Sequence, residues 1–288
     1  MRYLPILLVF YLSPVLNAQP FESLPPADPA RSLEYTFNKA DLLVAITDMD
    51  WRPGLCLAAA PLSVGETAAL HLSLEANTRY TFVASGSRPA TDVDLYLRDE
   101  NGEVVAEDQE PDATPVLEFR TSVAGQYLLQ LRLAGSERPE DFVSLAILCS
   151  SGAPLIKDGY QRLASRFFLA AEQLRSGGDM PQIKRDWWRQ VPQWSIYGFL
   201  LLPDGGASLL DLSTGAKAIT FAAAAGDGLR DVDLYLSGGE HILASTRSGG
   251  LNPLLRYETK ALNERLDLRV EVARAKKTDL VLLGIFQE

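Results

Sequence analysis

The sequence predicts a mainly β protein of two tandem antiparallel β-sandwiches, each preceded by an α-helix. Three observations predict it. The segment YTFVASGSRPATDVDLYL at 80–97 recurs as ITFAAAAGDGLRDVDLYL at 219–236, with Phe82 over Phe221 and Asp92 over Asp231 at a constant offset of 139 residues. Further blocks keep the register and alternate apolar with polar residues: Tyr127, Leu129, Leu131 and Leu133 in one copy, Leu266, Leu268, Val270 and Val272 in the other. A period of two means half-buried strands. Finally, Asn101-Gly102 and Gly238-Gly239 fall between such runs, where a tight hairpin needs positive φ.

Along the chain, residues 1–18 carry one cation, Arg2, then an apolar run from Leu4 to Leu16, then Asn17-Ala18. That is the pattern of a secretory signal peptide cut after Ala18. The bulk of Leu16 near the cut leaves an uncleaved anchor as the competing reading. No later segment reaches the ~18 apolar residues of a membrane-spanning helix, so a periplasmic or secreted chain with no transmembrane segment after cleavage is expected. The 288 residues, 47% apolar and 22% charged, suffice for about two domains and exclude disorder or a collagen-like chain.

Residues 19–53 are expected to form an N-terminal helical segment. Asp28-Pro29 reads as a cap and first-turn proline, followed by Leu33, Phe37, Ala40 and Val44 at helical spacing. Residues 54–150 form the first sandwich. Residues 151–195 hold a second amphipathic helix, on Leu163, Phe167, Ala170, Ala171 and Leu174 and ending near Gly177-Gly178, then a Trp-rich basic linker. Residues 196–288 form the second sandwich. Trp51 and Trp194 each precede the first strand of a sandwich and are expected to correspond.

The order YTF, DVDLYL, a Gly-containing turn, VVAE, a Pro-led strand and AGQYLLQL resembles the bacterial pre-peptidase C-terminal (PPC) domain. ITF, DVDLYL, ILAS and LDLRVEV repeat the pattern, except that Asn263-Glu264-Arg265 replaces the AGxY step. The resemblance covers about 80–149 and 219–286. It implies a jelly-roll-like sandwich and an accessory role of the kind such domains have beside secreted peptidases.

Cys56 and Cys149 are the two cysteines, and an even pair in an exported chain reads as a disulfide, with two buried thiols as the alternative. The bridge would tie the first strand of the first sandwich to its last and contribute about 4 to 5 kcal/mol in the chain-entropy model.

Asp92 and Asp94, like Asp231 and Asp233, stand on one face of a strand about 7 Å apart, which suits a shared cation or a carboxylate pair. Some domains of the resembled family bind calcium, and the first copy adds Glu107, Asp108, Glu110 and Asp112 in one loop, giving Asp92, Asp94, Glu107 and Asp108 as a candidate calcium set. The alternative is that these acids cap turns and are solvated.

In the linker, Trp187 and Trp188 lie among Lys184, Arg185 and Arg189, a pattern that suits a binding face. The favoured reading is that these rings and Trp194 wedge the two sandwiches together with Arg185 and Arg189 pointing outward, because three exposed apolar rings would be a liability. The segment 151–195 has seven cations against four acids in a chain of net charge −10.

That net charge makes the chain a poor partner for nucleic acid. Its two histidines, His71 and His241, lie beside no nucleophile, and no GxSxG, HExxH or CxxC is present, so no catalytic residue is assigned. The reading is an exported, non-catalytic binding or accessory protein recognising an envelope protein or polysaccharide. The alternative is an envelope hydrolase working through carboxylates.

Overall fold

Asp28 starts the first helix as expected, because its Oδ1 accepts from the backbone N–H of Ala30 (3.0 Å) and Arg31 (3.3 Å), donors a helix start leaves unsatisfied. The computed structural model describes residues 28–177, 185–190, 192–215, 217–247, 250–261 and 264–288. Residues 1–18, expected to be a signal peptide, and Lys184 lie outside the described residues.

The first half of the chain runs α1 (Pro29–Ile46), β1 (Asp50–Trp51), β2 (Gly54–Ser63), β3 (Thr67–Leu74), β4 (Arg79–Gly86), β5 (Ala90–Arg98), β6 (Val104–Asp108), β7 (Val116–Arg120), β8 (Gly125–Ser136) and β9 (Glu140–Cys149). The second half repeats it as α2 (Lys157–Arg175), β10 (Asp186–Trp187), β11 (Ile196–Leu201), β12 (Gly206–Thr214), β13 (Ala218–Ala225), β14 (Leu229–Gly238), β15 (His241–Ser245), β16 (Leu254–Glu258), β17 (Glu264–Ala275) and β18 (Asp279–Gln287).

In the first half β2-β9-β4-β7 faces β3-β8-β5-β6, and in the second β11-β18-β13-β16 faces β12-β17-β14-β15. Each half is therefore an eight-stranded antiparallel jelly roll. The repeated DVDLYL strands behave alike: Val93, Leu95 and Leu97, and their counterparts Val232, Leu234 and Leu236, are all buried between the sheets. Both hairpin turns use a glycine at positive φ, Gly102 at 82° and Gly239 at 61°.

The two rolls share a sheet. β2 pairs antiparallel with β11, so that β16-β13-β18-β11-β2-β9-β4-β7 runs unbroken, with β1 and β10 paired to β9 and β18. Leu57 opposes Gly198 and Ala59 opposes Ile196, placing the pair Ala58–Tyr197 at the centre of an internal pseudo-twofold axis. Both strands are buried along nearly their whole length, as strands covered on two faces must be. The two four-stranded sheets cover one face, and α1 and α2 pack on the other through Leu33, Phe37 and Ala40 and through Tyr160, Leu163 and Phe167. Ala170, expected on the packed face of α2, is exposed instead.

Helices meet the sheet on aromatic and hydroxyl contacts. Phe37 stacks on Trp51 (centroids 4.8 Å) and on Tyr160 of α2 (3.6 Å). Ser32 and Thr36 of α1 each lie 2.7 Å from the Ser144 hydroxyl, and Ser32 Oγ donates to Ser85 O (3.1 Å). These buried hydroxyls satisfy one another, and so α1 can present polar side chains to a buried sheet without an unpaired donor.

The tryptophan correspondence is corrected by the register. Trp51 opposes Leu148 in β9 as Trp187 opposes Phe286 in β18, and each follows an aspartate, Asp50 or Asp186. The counterpart of Trp51 is therefore Trp187, and Trp194 belongs to an extra stretch of the second copy.

Candidate functional site

The expected Cys56–Cys149 bridge is absent, and both residues are free, buried thiols. A β-bulge at Cys56, where Gly198 opposes Leu57 but Phe199 opposes Leu55, leaves it among the residues packed under the helices. Cys149 opposes Tyr80 and packs between the facing sheets. The two side chains thus serve different faces of the shared sheet. Burial pushes both thiols up, Cys56 to about 12.

The linker is no stacking face. Trp187, Trp188 and Trp194 are at most 3% exposed. Trp187 stacks on Phe286 (4.5 Å), while Trp188 and Trp194 join the core between the sheets. Trp194 donates its indole N–H to Ala69 O in β3 (2.9 Å), Ala69 N donates to Pro192 O (2.8 Å), and Gln193 Nε2 donates to Asp211 O in β12 (3.1 Å). Residues 192–194 thereby bridge β3 and β12, the edge strands of the two outer sheets.

Neither arginine supplies a free basic strip. Arg185, expected outward, is buried: its side chain is 8% exposed and its Nε donates to Glu288 Oε1 (2.8 Å). Arg189 is half exposed and pairs with Glu140 and with Asp186 (3.5 Å). Asp186 belongs to the linker, but Glu288 and Glu140 are distant in sequence, and the linker's own composition does not reveal them.

The proposed calcium ligands do not all share one face of the sheet. Asp94 is paired with Arg132 (3.6 Å) and accepts from Tyr96 (3.1 Å). Asp108 opposes Leu95, an inward residue, and caps its own loop by accepting from Glu110 N (3.1 Å) and Val116 N (2.8 Å). Glu107 opposes Tyr96 on the other face. Among the described residues no group of three or more His, Cys, Asp or Glu is placed to hold a metal ion.

Both copies hold buried carboxylate oxygens without a hydrogen bond among the described residues, Asp92 Oδ1 being among those in the first. Asp231 and Asp233 are each 9% exposed, and an Oδ1 of each is buried without a hydrogen bond, although Asp231 lies 3.5 Å from Arg274 and Tyr235 donates to Asp233 (3.4 Å). Burial, then Asp231, pushes the Asp233 carboxyl above the ordinary range, and burial, then Asp94, does the same to Asp92.

What the sequence did not reveal is a cleft of about 450 Å³ between the end of α1 and strands β4 and β7. Its floor is the paired strands, with Thr81 buried, and Leu43 and Met49 form an apolar wall. Four charged side chains ring it: Asp48, Arg79, Glu118 and Arg120. Arg79 pairs with Asp48, whereas Glu118 and Arg120 make no ion pair among the described residues. Arg79 directly opposes Arg120, and Thr81 opposes Glu118. Both histidines lie elsewhere, exposed on β3 and β15.

Neither a family model nor a curated protein matches the chain. Among solved structures it is similar to a periplasmic inhibitor of g-type lysozyme from Aeromonas hydrophila, at 14% identity and a TM-score of 0.26 over 34% of this chain and 85% of that one. It is also similar to tandem CBM51 modules of a family 98 glycoside hydrolase from Streptococcus pneumoniae, at 10% identity and a TM-score of 0.25 over 79% and 83% of the two chains. A third likeness is to the M60 catalytic domain with two CBM51 domains from Clostridium perfringens, at 12% identity and a TM-score of 0.26 over 79% of this chain and 34% of that one. Likenesses this distant carry no argument about function.

Proposed function

We propose that the chain is an exported, non-catalytic binding protein of the periplasm or extracellular space, which recognises a protein or polysaccharide of the cell envelope through the cleft between α1, β4 and β7. The observation that carries this reading is the charged cleft itself: a concavity of about 450 Å³ lined by apolar Leu43 and Met49, by buried Thr81, and by two charges, Glu118 and Arg120, that make no ion pair among the described residues. That is the size and make-up of a recognition pocket. The leader-like residues 1–18 support export, and the resemblance of both copies to PPC domains supports an accessory role.

The test is to replace Leu43 by Trp, which places a large ring in the cleft. Capture from native envelope extract is then compared between wild type and variant, with bound protein and bound polysaccharide measured separately. Loss of one bound component in a variant of unchanged melting temperature supports the reading. Equal capture removes the cleft from it, and steady release of cleaved polysaccharide by the wild type overturns the non-catalytic assignment.

A further inference from the structure

The internal repeat provides a comparison for the cleft. The matching place in the second half is the sheet surface where β13 pairs with β16. Glu288 lies there with its side chain 10% exposed, accepting from Arg256 (2.7 Å), from Arg185 (2.8 Å) and from Thr220 Oγ1 (3.4 Å). Thr220 opposes Arg256 across β13 and β16 as Thr81 opposes Glu118 across β4 and β7. The two rows differ in charge order: Arg256 then Glu258 in the second half, Glu118 then Arg120 in the first. The residue that Glu288 matches is Ser150, which carries no charge. The first half therefore keeps the paired strands of an ion-pairing site, with the charges inverted and no internal ion-pair partner among the described residues.

We infer that this cleft takes a group bearing an ammonium and a carboxylate side by side, the head of an amino acid, either free or as the distal head of a diamino acid built into a wall peptide. The inference rests on the cleft being the recognition site. Glu118 occupies the position of Arg256 and receives the ammonium where Arg256 receives a carboxylate. Arg120 stands two residues further along the same face, about 7 Å away, beside Arg79. Arg79 and Arg120 are directly opposed across β4 and β7, and Arg79 is already paired with Asp48, so a carboxylate placed between the two arginines pairs with Arg120. Leu43 and Met49 take the apolar stem that joins the head to the rest of the ligand.

Calorimetric titration of the full chain tests this with leucine, leucinamide, N-acetyl-leucine and a wall peptide ending in a diamino acid. Leucine or the wall peptide should bind, and which of them binds identifies the source. Leucinamide, which lacks the carboxylate, and N-acetyl-leucine, which lacks the ammonium, should bind about tenfold more weakly or worse. Arg120→Gln should abolish the preference for leucine over leucinamide, and Glu118→Gln the preference for leucine over N-acetyl-leucine. Both side chains are exposed, so the variants should melt as wild type does. Absence of binding by both zwitterionic probes at millimolar concentration overturns the inference, as does equal binding of the capped forms. If envelope capture is nevertheless lost in Leu43→Trp, the inference fails while the cleft stands as the recognition site. Unchanged capture in that variant removes the cleft itself.

Discussion

The indole N–H of Trp194 donates to the backbone carbonyl of Ala69 at 2.9 Å, joining the second copy of the repeat to an edge strand of the first. The ring is fully buried in a core that runs from one jelly roll into the other. Replacing Trp194 by Ala should cost about 3 to 5 kcal/mol, as deletion of buried aromatic rings does, read as a fall in unfolding free energy by chemical denaturation. A loss within about 0.5 kcal/mol would place the ring outside the junction's energetics. Because the two rolls also share the β2–β11 pairing, the wild type should unfold in one transition.

The Arg185–Glu288 pair gives a second prediction. The hydrogen bonds from Arg256, then Arg185, hold the Glu288 carboxyl below its usual range. A carboxyl depressed in the fold adds stability that is present above its unfolded pKa and lost as pH falls through the folded value. Replacing Arg185 by Met leaves Glu288 with one fewer partner at a site where its side chain is 10% exposed, and should cost about 1 to 3 kcal/mol at neutral pH. Urea melts should show the difference between wild type and variant shrinking as the pH is lowered into the acid limb.

How much of this was legible differs element by element. The strands of the repeat were, since Val93, Leu95 and Leu97 alternate with polar residues and a period of two has one reading. The start of α1 was too, because Asp28-Pro29 is a cap by chemistry. The junction was not: β2 and β11 are nearly continuous apolar runs, which indicate burial on both faces but not which strand lies alongside. The sites failed for a related reason. Arg185 finds its partner 103 residues away in Glu288, and the cleft gathers Asp48, Arg79, Glu118 and Arg120 from a helix end and two strands, with no spacing that a linear motif could record. The disulfide reading followed from cysteine count alone, which carries no information about the face each thiol serves.

Asp233 carries the third prediction. Its carboxyl is raised by burial and by Asp231, with Glu271 adding to the shift and Tyr235 and Arg247 opposing it. An acid raised in the fold destabilises the native state above the folded pKa and ceases to do so below the unfolded value. Asp233→Asn should therefore raise the melting temperature at neutral pH, and the gain should vanish near roughly pH 3, below the ordinary aspartate value. A lower melting temperature for the variant at neutral pH would mean that the charged form makes a contact worth more than its burial costs.

The thiols supply the last. Cys56 is fully buried beneath the helices, with its thiol pushed up to about 12, and donates to Gly198 O (3.5 Å); Cys149 is 2% exposed and accepts from Ser151 Oγ (3.7 Å). Alkylation requires the thiolate and access, and both are withheld here. Native protein treated with iodoacetamide near pH 8 should therefore remain unlabelled, whereas the same treatment in denaturant should add two groups per chain. The melting temperature should not change on adding a thiol reductant, since no bridge constrains the unfolded chain. Labelling of one cysteine in the native state would show that its sheet opens locally, and that residue would identify the face that opens: Cys56 the helix-covered one, Cys149 the one between the sheets. Failure of either cysteine to label in denaturant without reductant would show a bridge, and with it a different packing of β2 against β9.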